Sequence, residues 1–286
     1  MKILVFLKKW PGGVGVVVKS VKRELEKRGH EVVCISREED LRCFSSIRNL
    51  LWLRKNYEKI IKKERPDIIY TQDWSMALPL LFPFSIYKKK HFCCFHGNQL
   101  GKSRILQKIV GRILGKKLIV VGDSLKKRFP LSSLVYNGVD LKKFKPLKKK
   151  RNYLGWIKKD TEIYNQEEIQ RLSEELGIPL LIAEKIPFEK MNIFYNKCKI
   201  FISLPPSSAG FNLCWLEALA AGVPLVIGND EGIGYKIPIE KVTGKKEIKA
   251  LIKKKNNKNS REWVEKESFT WEKNVRRLLR LWGRGF

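Results

Sequence analysis

Short apolar runs alternate through the first half of the chain with longer segments whose apolar side chains recur at helical spacing. This alternation is typical of βαβ units, which build a parallel sheet. The runs predict strands near Ile3–Phe6, Glu31–Ser36, Ile68–Thr71, His91–Phe95, Leu118–Val121 and Ser133–Tyr136. The longer segments predict helices near Val14–Arg28, Ile47–Lys63, Ser75–Leu81, Arg104–Leu114 and Ser124–Phe129.

The same alternation begins again after a lysine-rich stretch, Lys148–Arg151, which is typical of a connector between domains. It predicts strands near Tyr153–Trp156, Leu180–Ala183, Ile200–Leu204 and Leu225–Ile227. It predicts helices near Gln166–Leu176, Phe188–Asn196, Phe211–Ala221 and Val275–Trp282. A chain of 286 residues is long enough for about two such α/β domains.

The chain is strongly basic, with 59 Lys and Arg against 29 Asp and Glu and a formal net charge of +30. Such a field attracts polyanions, so nucleic acid, an anionic membrane and phosphorylated ligands are all open, as is a merely solvated lysine-rich surface. Zinc-finger spacings, an aromatic RNP-like strand and a basic region leading into heptads are missing from the sequence. We therefore expect no specific nucleic-acid partner.

The start of the chain, its apolar stretches and its cysteines together predict a cytoplasmic protein. Met1–Leu7 has the pattern of a strand rather than of a charged leader, so no signal peptide is expected. The longest apolar stretch, Ala77–Tyr87, contains two prolines and is shorter than the about 20 residues that span a bilayer. The cysteines form no Cys-x-x-Cys pair, which argues against a zinc site and a disulfide framework.

The segment Pro205–Val226 carries the most specific chemistry: a small-residue loop, a helix start, an acid two turns in and a Gly-Val-Pro end. Ser207, Ser208 and Gly210 free the backbone where the helix begins. An uncapped helix start presents unpaired N–H groups and a partial positive charge to phosphate. Glu217 follows on the helix, and a carboxylate is a strong bidentate acceptor for a ribose diol. The spacing suits a nucleotide sugar.

This segment closely resembles the donor-binding motif of retaining GT-B glycosyltransferases of the family 4 type, Glu-Gly-Phe-Gly-x-x-x-x-Glu-Ala-x-Ala-x-Gly-x-Pro. The matching positions are Gly210, Phe211, Glu217, Ala218, Ala220, Gly222 and Pro224. The resemblance implies that the second glutamate, Glu217, holds the ribose, and that the first, which is Ala209 here, would hold the transferred sugar. A hydrogen bond to a charged acceptor is worth about 1.5–3 kcal/mol, so a weakened, altered or inactive enzyme remains open.

Two further segments resemble the same family. Asn137–Pro146 is similar to its passage between domains, and Phe269–Lys273 is similar to its closing segment, after which the last helix returns to the first domain. The resemblance therefore covers nearly the whole chain and implies the GT-B architecture, two Rossmann-like doubly wound α/β domains facing across a cleft, with the second domain trimmed. The predicted divisions are an acceptor-side domain at residues 1–147, a donor domain at 148–268 and a closing helix at 269–286.

A glycine-rich turn, Gly12–Gly15, follows the first strand and opens into a helix, which makes a second anion site. Its glycines match the first two positions of a dinucleotide-binding Gly-x-Gly-x-x-Gly, but the third position is Val18. The second strand is followed by Arg37 instead of an acid, which also disfavours a redox protein. The order of residues resembles the family's loop, in which Gly12 and Gly13 would shape the phosphate side.

Polar residues follow two further strands of the first domain, where α/β proteins collect their ligands. The resemblance implies that His96 contacts the reacting sugar, which makes it the predicted catalytic residue, and that Asp73 and Asn98 lie on the acceptor side. Each position has a plainer interpretation. His96 could merely tie down its loop, and Asp73 could cap the following helix.

The chain departs from the family where an arginine and a lysine neutralise the diphosphate, because it has Trp156 and Thr161 at those places. Lys158 or Lys159 could substitute, and we assign the charge to Lys158. The sequence has no Asp-x-Asp motif, so neither a metal nor another cofactor is expected. Helix N-termini and lysines would then stabilise the departing nucleotide diphosphate. With no convincing enzymic nucleophile, front-face displacement with retention is the mechanism that the resemblance favours.

The predicted function is a hexosyl-type glycosyltransferase that moves a sugar from a nucleotide-diphosphate sugar to a lipid-linked or saccharide acceptor. The donor would be held by Lys158, Gly210, Phe211, Asn212, Leu213 and Glu217, together with Gly12 and Gly13. The alternative is a catalytically degenerate relative that binds a glycan, a nucleotide sugar or an anionic surface.

One helix in the first domain, near Lys102–Lys117, carries three apolar pairs and a basic residue at every fourth position. The pairs are Ile105/Leu106, Ile109/Val110 and Ile113/Leu114. Either the apolar stripe packs on the sheet, or the basic flank docks the protein peripherally on the anionic inner face of a membrane.

Overall fold

The computed structural model describes residues 1–10, 12–36, 47–84, 87, 89–157, 166–204, 211–228, 238–241, 247–248, 250 and 260–283. The chain divides into two compact units, one formed by Met1–Tyr136 with Trp271–Phe286 and the other by Asn137–Thr270. The first unit thus ends at Tyr136, before the predicted boundary at residues 147/148, and Trp271–Phe286 is grouped with it.

The first unit is built on a parallel sheet with the strand order β2-β1-β3-β4-β5-β6. Its strands are β1 Lys2–Leu7, β2 Glu31–Ser36, β3 Ile68–Gln72, β4 His91–Phe95, β5 Leu118–Val120 and β6 Ser133–Leu134. Its helices are α1 Gly13–Glu26, α2 Ile47–Glu64, α3 Trp74–Leu81, α4 Lys102–Leu114, α5 Asp123–Arg128 and, from the end of the chain, α10 Trp271–Gly283.

Helices cover both faces of this sheet. On one face α2 and α3 pack over Leu4, Phe6 and Ile69, because parallel strands joined by right-handed crossovers place such helices together. On the other face Trp282 of α10 meets the rings of Tyr70 and Phe92, and α10 packs beside α1. Burial on both faces explains why these strands appear in the sequence as continuous apolar runs.

The second unit is built on a parallel sheet with the strand order β11-β10-β9-β7-β8. Its strands are β7 Tyr153–Ile157, β8 Leu180–Ala183, β9 Cys198–Ile202, β10 Leu225–Gly228 and β11 Glu240–Lys241. Its helices are α6 Gln166–Leu176, α7 Met191–Lys197, α8 Leu213–Ala220 and α9 Ser260–Lys266. The sequence did not predict β11 or α9, which lie in a lysine-rich region without a clear apolar period.

Both units therefore have the doubly wound α/β architecture that the sequence predicts. Trp156, where the resembled family has a phosphate-binding arginine, is buried in the core of the second unit among the strands and α6. Among the described residues, no helix combines the length and the hydrophobicity needed to cross a membrane.

Candidate functional site

The predicted donor helix, α8, is fixed at its start to the carboxyl end of β9. The side chain of Asn212 caps the helix, accepting from the N–H of Cys214 at 3.1 Å and donating to Ser203 Oγ at 2.8 Å. The indole of Trp215 donates to the Ser203 carbonyl at 2.9 Å. The prediction of an uncapped helix start was therefore wrong, because Asn212 satisfies one of the N–H groups assigned to phosphate.

Glu217 lies on the buried side of α8, where its carboxylate accepts from the hydroxyl of Tyr195 on α7 at 2.8 Å. Burial raises the pKa of Glu217 to about 7, although the Tyr195 hydrogen bond and the charge of Lys143 oppose the rise. An acid in this environment exchanges its proton near neutral pH, well above the range of an exposed carboxyl group. Hydroxyl donors from a ligand would favour its ionised form.

Phe211 packs in the second unit, and the half-buried Leu213 begins α8. Phe211 is buried and its ring stacks on that of Phe269 at 6.3 Å, while Leu213 is the first residue of α8. Several positions named from the sequence lie outside the described residues: Lys158, Lys159, Thr161, Ser207, Ser208, Ala209 and Gly210.

The far end of α8 is held by two arginines that the sequence analysis did not single out. Arg151 donates to the carbonyl of Ala221 at 2.7 Å, and Arg261 donates to that of Ala220 at 2.8 Å. Gly222, with φ 72°, ends the helix as the Gly-Val-Pro pattern predicts. Both arginines satisfy carbonyls that a helix end leaves unpaired, so they stabilise the helix that carries Glu217.

In the first unit, the glycine turn fits the geometry of the start of α1. Gly12 has φ 99° and ψ −176°, a backbone conformation that residues other than glycine rarely adopt. As the N-cap residue it makes no side-chain hydrogen bond to the helix. A Cβ at Gly15 would collide with the carbonyl oxygen of Trp10. Gly13 has an ordinary φ and open space around it. Gly12 has no side chain with which to cap the N–H groups of the first turn, and open N–H groups of this kind are what an anion site uses.

His96 directly follows β4 and is half-buried beside the end of β3. Its Nε2 lies 2.7 Å from Gln72 Oε1, and since an amide oxygen only accepts, the ring proton lies on Nε2 and the lone pair on Nδ1. Burial lowers the pKa of His96 to about 4, so the ring is neutral at pH 7. The histidine therefore offers an acceptor to a ligand hydroxyl, and Gln72 orients it.

Asp73 caps α3, since its Oδ1 accepts from the N–H of Trp74 at 2.7 Å. Its backbone is strained, with φ 78° and ψ 159°, and is held by a 2.7 Å hydrogen bond to the carbonyl of Cys94. Burial raises the pKa of Asp73 to about 6, opposed by the Trp74 N–H and the charge of Lys8. The carboxylate of Asp73 therefore caps α3, which is the plainer of the two interpretations drawn from the sequence.

The loop after His96 is anchored by side chains from two helices. Gln107 of α4 is fully buried, donates to the Gly97 carbonyl at 2.8 Å and accepts from the Gln99 N–H at 3.1 Å. The side-chain oxygen of Asn98 accepts from Arg128 at 3.1 Å. No sequence pattern singled out Gln107, because the period of α4 does not decide which of its faces is buried.

The structure brings together one set of predicted residues in each unit. Because β1, β3 and β4 are parallel neighbours, the Gly12 turn, Asp73 and His96 lie at the same edge of the first sheet. Asn212 and Glu217 lie at the start and in the middle of α8 in the second unit. No metal-binding cluster of His, Cys, Asp and Glu occurs in the described part of the chain, whose cysteines are free thiols.

These features define an α/β protein of the GT-B class, with two parallel sheets flanked by helices. Residues 11–143 match the model of Glycosyltransferase Family 4, which confirms the predicted resemblance to this family. The donor motif at residues 205–226 lies outside the matched segment. No curated protein matches the chain in sequence.

Several solved structures share the fold over nearly the whole chain. A glycosyltransferase from Rickettsia africae is 18% identical with a TM-score of 0.71, over 99% of this chain and 98% of that chain. The lipopolysaccharide outer core galactosyltransferase WaaB is 16% identical with a TM-score of 0.66, over 100% of both chains. HepE from Anabaena, in complex with UDP-glucose, is 12% identical with a TM-score of 0.63, over 98% of this chain and 99% of that chain.

Proposed function

We propose that this protein is a hexosyl-type glycosyltransferase that takes its sugar from a nucleotide-diphosphate donor. The family match and the GT-B fold support transfer of a sugar. The observation that carries the donor assignment is the buried Glu217 on α8, an acid at the position where the resemblance implies a ribose contact. HepE, which shares the fold, is in complex with UDP-glucose in its structure.

In this proposal the second unit binds the nucleotide. Glu217 accepts hydrogen bonds from the ribose hydroxyls, and the backbone from Gly210 to Leu213 faces the diphosphate. Asn212 fixes the start of α8 through Ser203, which keeps the remaining N–H groups of the first turn in place. Lys158 contributes positive charge near the diphosphate.

In this proposal the first unit contacts the reacting sugar and the acceptor. Neutral His96 accepts a hydrogen bond at Nδ1 from a hydroxyl of the sugar or the acceptor, while Gln72 keeps its proton on Nε2. Asp73 and Asn98 lie on the acceptor side, and Gly12 and Gly13 shape the phosphate-facing turn. We infer retention of the anomeric configuration by front-face displacement, in which the leaving diphosphate takes the proton from the attacking hydroxyl.

Two further features of the proposal rest on sequence. The lack of an Asp-x-Asp motif favours a reaction without a metal ion, in which N–H groups and lysines balance the charge of the leaving group. The acceptor is lipid-linked or saccharide, and the basic composition favours a cytoplasmic protein that lies peripherally at the inner face of a membrane.

Ala209 favours a second candidate, a degenerate relative that binds a nucleotide sugar or glycan without turning it over. Release of nucleoside diphosphate from UDP-, GDP- and ADP-sugars, measured with lipid-linked and free saccharide acceptors, separates the two. Release that depends on one donor and one acceptor supports the transferase. Tight donor binding without release on any acceptor would leave the degenerate relative as the function.

A further inference from the structure

Helix α4 exposes an isoleucine stripe to solvent. Ile105, Ile109 and Ile113 are 64%, 45% and 45% exposed, whereas Val110 and Leu114 are buried. In two of the predicted apolar pairs one member therefore packs inward and the isoleucine points outward, and in the third Leu106 is half-buried beside the exposed Ile105. An uninterrupted apolar stripe over three helical turns is unusual on a solvated surface and marks a site of interaction.

A basic stripe runs beside the isoleucines. Arg104, Lys108 and Arg112 each precede one isoleucine by one position and are exposed. The sequence contains no Asp or Glu between Asp73 and Asp123, so the whole of α4 lacks acidic side chains. The exposed surface of α4 thus pairs apolar side chains with cations and carries no acidic group of its own.

The helix layer that includes α4 has a second exposed apolar group. α3 packs against both α2 and α4, so the three helices cover the same face of the first sheet. At the start of α2, Ile47, Leu51 and Trp52 are exposed, and Trp52 is 56% exposed. Both helices start at the carboxyl edge of the sheet, where His96 and Asp73 lie.

We propose that the outer surface of α4 docks the first unit on an anionic lipid membrane, with Ile105, Ile109 and Ile113 entering the headgroup region. An in-plane helix of this kind combines buried apolar area with attraction of its flanking cations to anionic lipids. Lys and Arg place their charged ends at the headgroups while their stems cover the apolar surface. A protein partner would need a matching acidic rim, whereas an anionic bilayer meets both stripes.

Docking on α4 brings the loop that follows His96 close to the membrane, because this loop leads directly into α4. Leu100 in the loop is also exposed, at 64%. The lipid-linked acceptor of the proposed function would then be presented at the edge of the sheet that carries His96. The docking deepens the peripheral location given under the proposed function, and only this last step also rests on the proposed transfer to a lipid-linked acceptor.

Co-sedimentation with vesicles of phosphatidylcholine alone or mixed with phosphatidylglycerol tests the charge part. The chain should bind only the anionic vesicles, less strongly as salt rises. Lys108→Glu with Arg112→Glu should weaken binding at least about tenfold. The matched control, Lys148→Glu with Lys149→Glu, makes the same charge change at exposed lysines of the second unit and should retain most of the binding. Equal binding to both vesicle types, or equal loss in both variants, would overturn the proposal.

The apolar part is tested by Ile109→Ser against Ile193→Ser, an isoleucine of α7 that is 42% exposed. Ile109→Ser should weaken vesicle binding about tenfold and Ile193→Ser should leave it unchanged.

Gel filtration with light scattering tests whether a second copy of the chain, instead of a membrane, covers the outer surface of α4. A dimer that Ile109→Ser dissociates, with no vesicle binding, would assign the surface to that copy instead. Donor hydrolysis without vesicles, measured on the same variants, reports the proposed transfer separately from docking.

Discussion

Glu217 is a buried acid on α8 of the second unit. Within the described part of the chain its buried carboxylate has one neutral donor, Tyr195, whereas the helix around it is held by Arg151, Arg261 and Asn212. Burying a carboxyl group with so little compensation destabilises its ionised form. A bound ligand that donates hydrogen bonds to this carboxylate would offset the cost of its burial.

Replacing Glu217 by Gln should stabilise the free protein at alkaline pH. The folded state raises the pKa of Glu217 from 4.5 to about 7, so it holds the proton more tightly than the unfolded state. The wild-type free energy of unfolding therefore loses up to about 3 kcal/mol as pH rises from about 4.5 to about 7. Denaturant unfolding should show Glu217→Gln more stable than wild type at pH 8 and nearly equal at pH 4.5. A variant that is less stable at pH 8 would contradict this account.

Tyr195→Phe should raise the pKa of Glu217 further, since the lost hydrogen bond favours the ionised carboxylate. Nucleotide binding should then weaken at pH 7 and recover toward pH 9, with its midpoint at higher pH than in wild type. Calorimetric titration across this range measures the shift. Tyr153→Phe, on β7, is the control and should keep the wild-type profile. A uniform loss at every pH would mean that Tyr195 acts only through packing.

At the residue scale the sequence predicted which element carries a candidate site residue, but not which side chains surround that residue. The motif placed Glu217 on a helix, but its burial against Tyr195 depends on α7, which packs there from a distant part of the sequence. The pairing of His96 with Gln72 likewise depends on β3 and β4 being neighbours. Such contacts arise from tertiary packing, which a local pattern does not encode.

At the scale of elements, the start of α1 depends on one backbone conformation. Gly12→Ala should lower the free energy of unfolding by about 1–3 kcal/mol, because alanine is strained at φ 99° even though the space is open. Gly13→Ala is the matched control, since its φ is ordinary and nothing crowds it. Denaturant midpoints compare the two variants. Equal midpoints would mean that the turn does not require glycine at position 12.

The strands were predictable because burial on both faces leaves continuous apolar runs, as in β1 and β4. The face that α4 buries was not predictable. Its apolar residues come in adjacent pairs, and adjacent positions on a helix differ by about 100°, so the period alone does not decide which member faces inward. The packing of α3 and the ring of Phe129 against Gly111 settle it in favour of Val110 and Leu114.

Over the whole molecule, histidines with lowered pKa values and acids with raised pKa values have opposite effects on how the free energy of unfolding changes with pH. The lowered pKa values of His91, about 3, and His96, about 4, remove stability as pH falls below about 6.5, because the unfolded chain takes up those protons first. Glu217 and Asp73, with raised pKa values, act in the other direction. His96→Gln should therefore lose less stability than wild type between pH 7 and pH 5. An identical loss in denaturant unfolding would mean that folding does not lower the pKa of His96.

The central claim is that the second unit binds a nucleotide sugar through Glu217. Calorimetric titration of the wild-type chain and Glu217→Gln at pH 8 with UDP-, GDP- and ADP-sugars tests it most directly. We predict one-to-one binding of one donor to the wild type. In Glu217→Gln the binding should be weaker by about 1.5–3 kcal/mol, while the folded state is at least as stable. Equal affinities for the two chains, or no binding of any nucleotide sugar by the wild type, would contradict the claim.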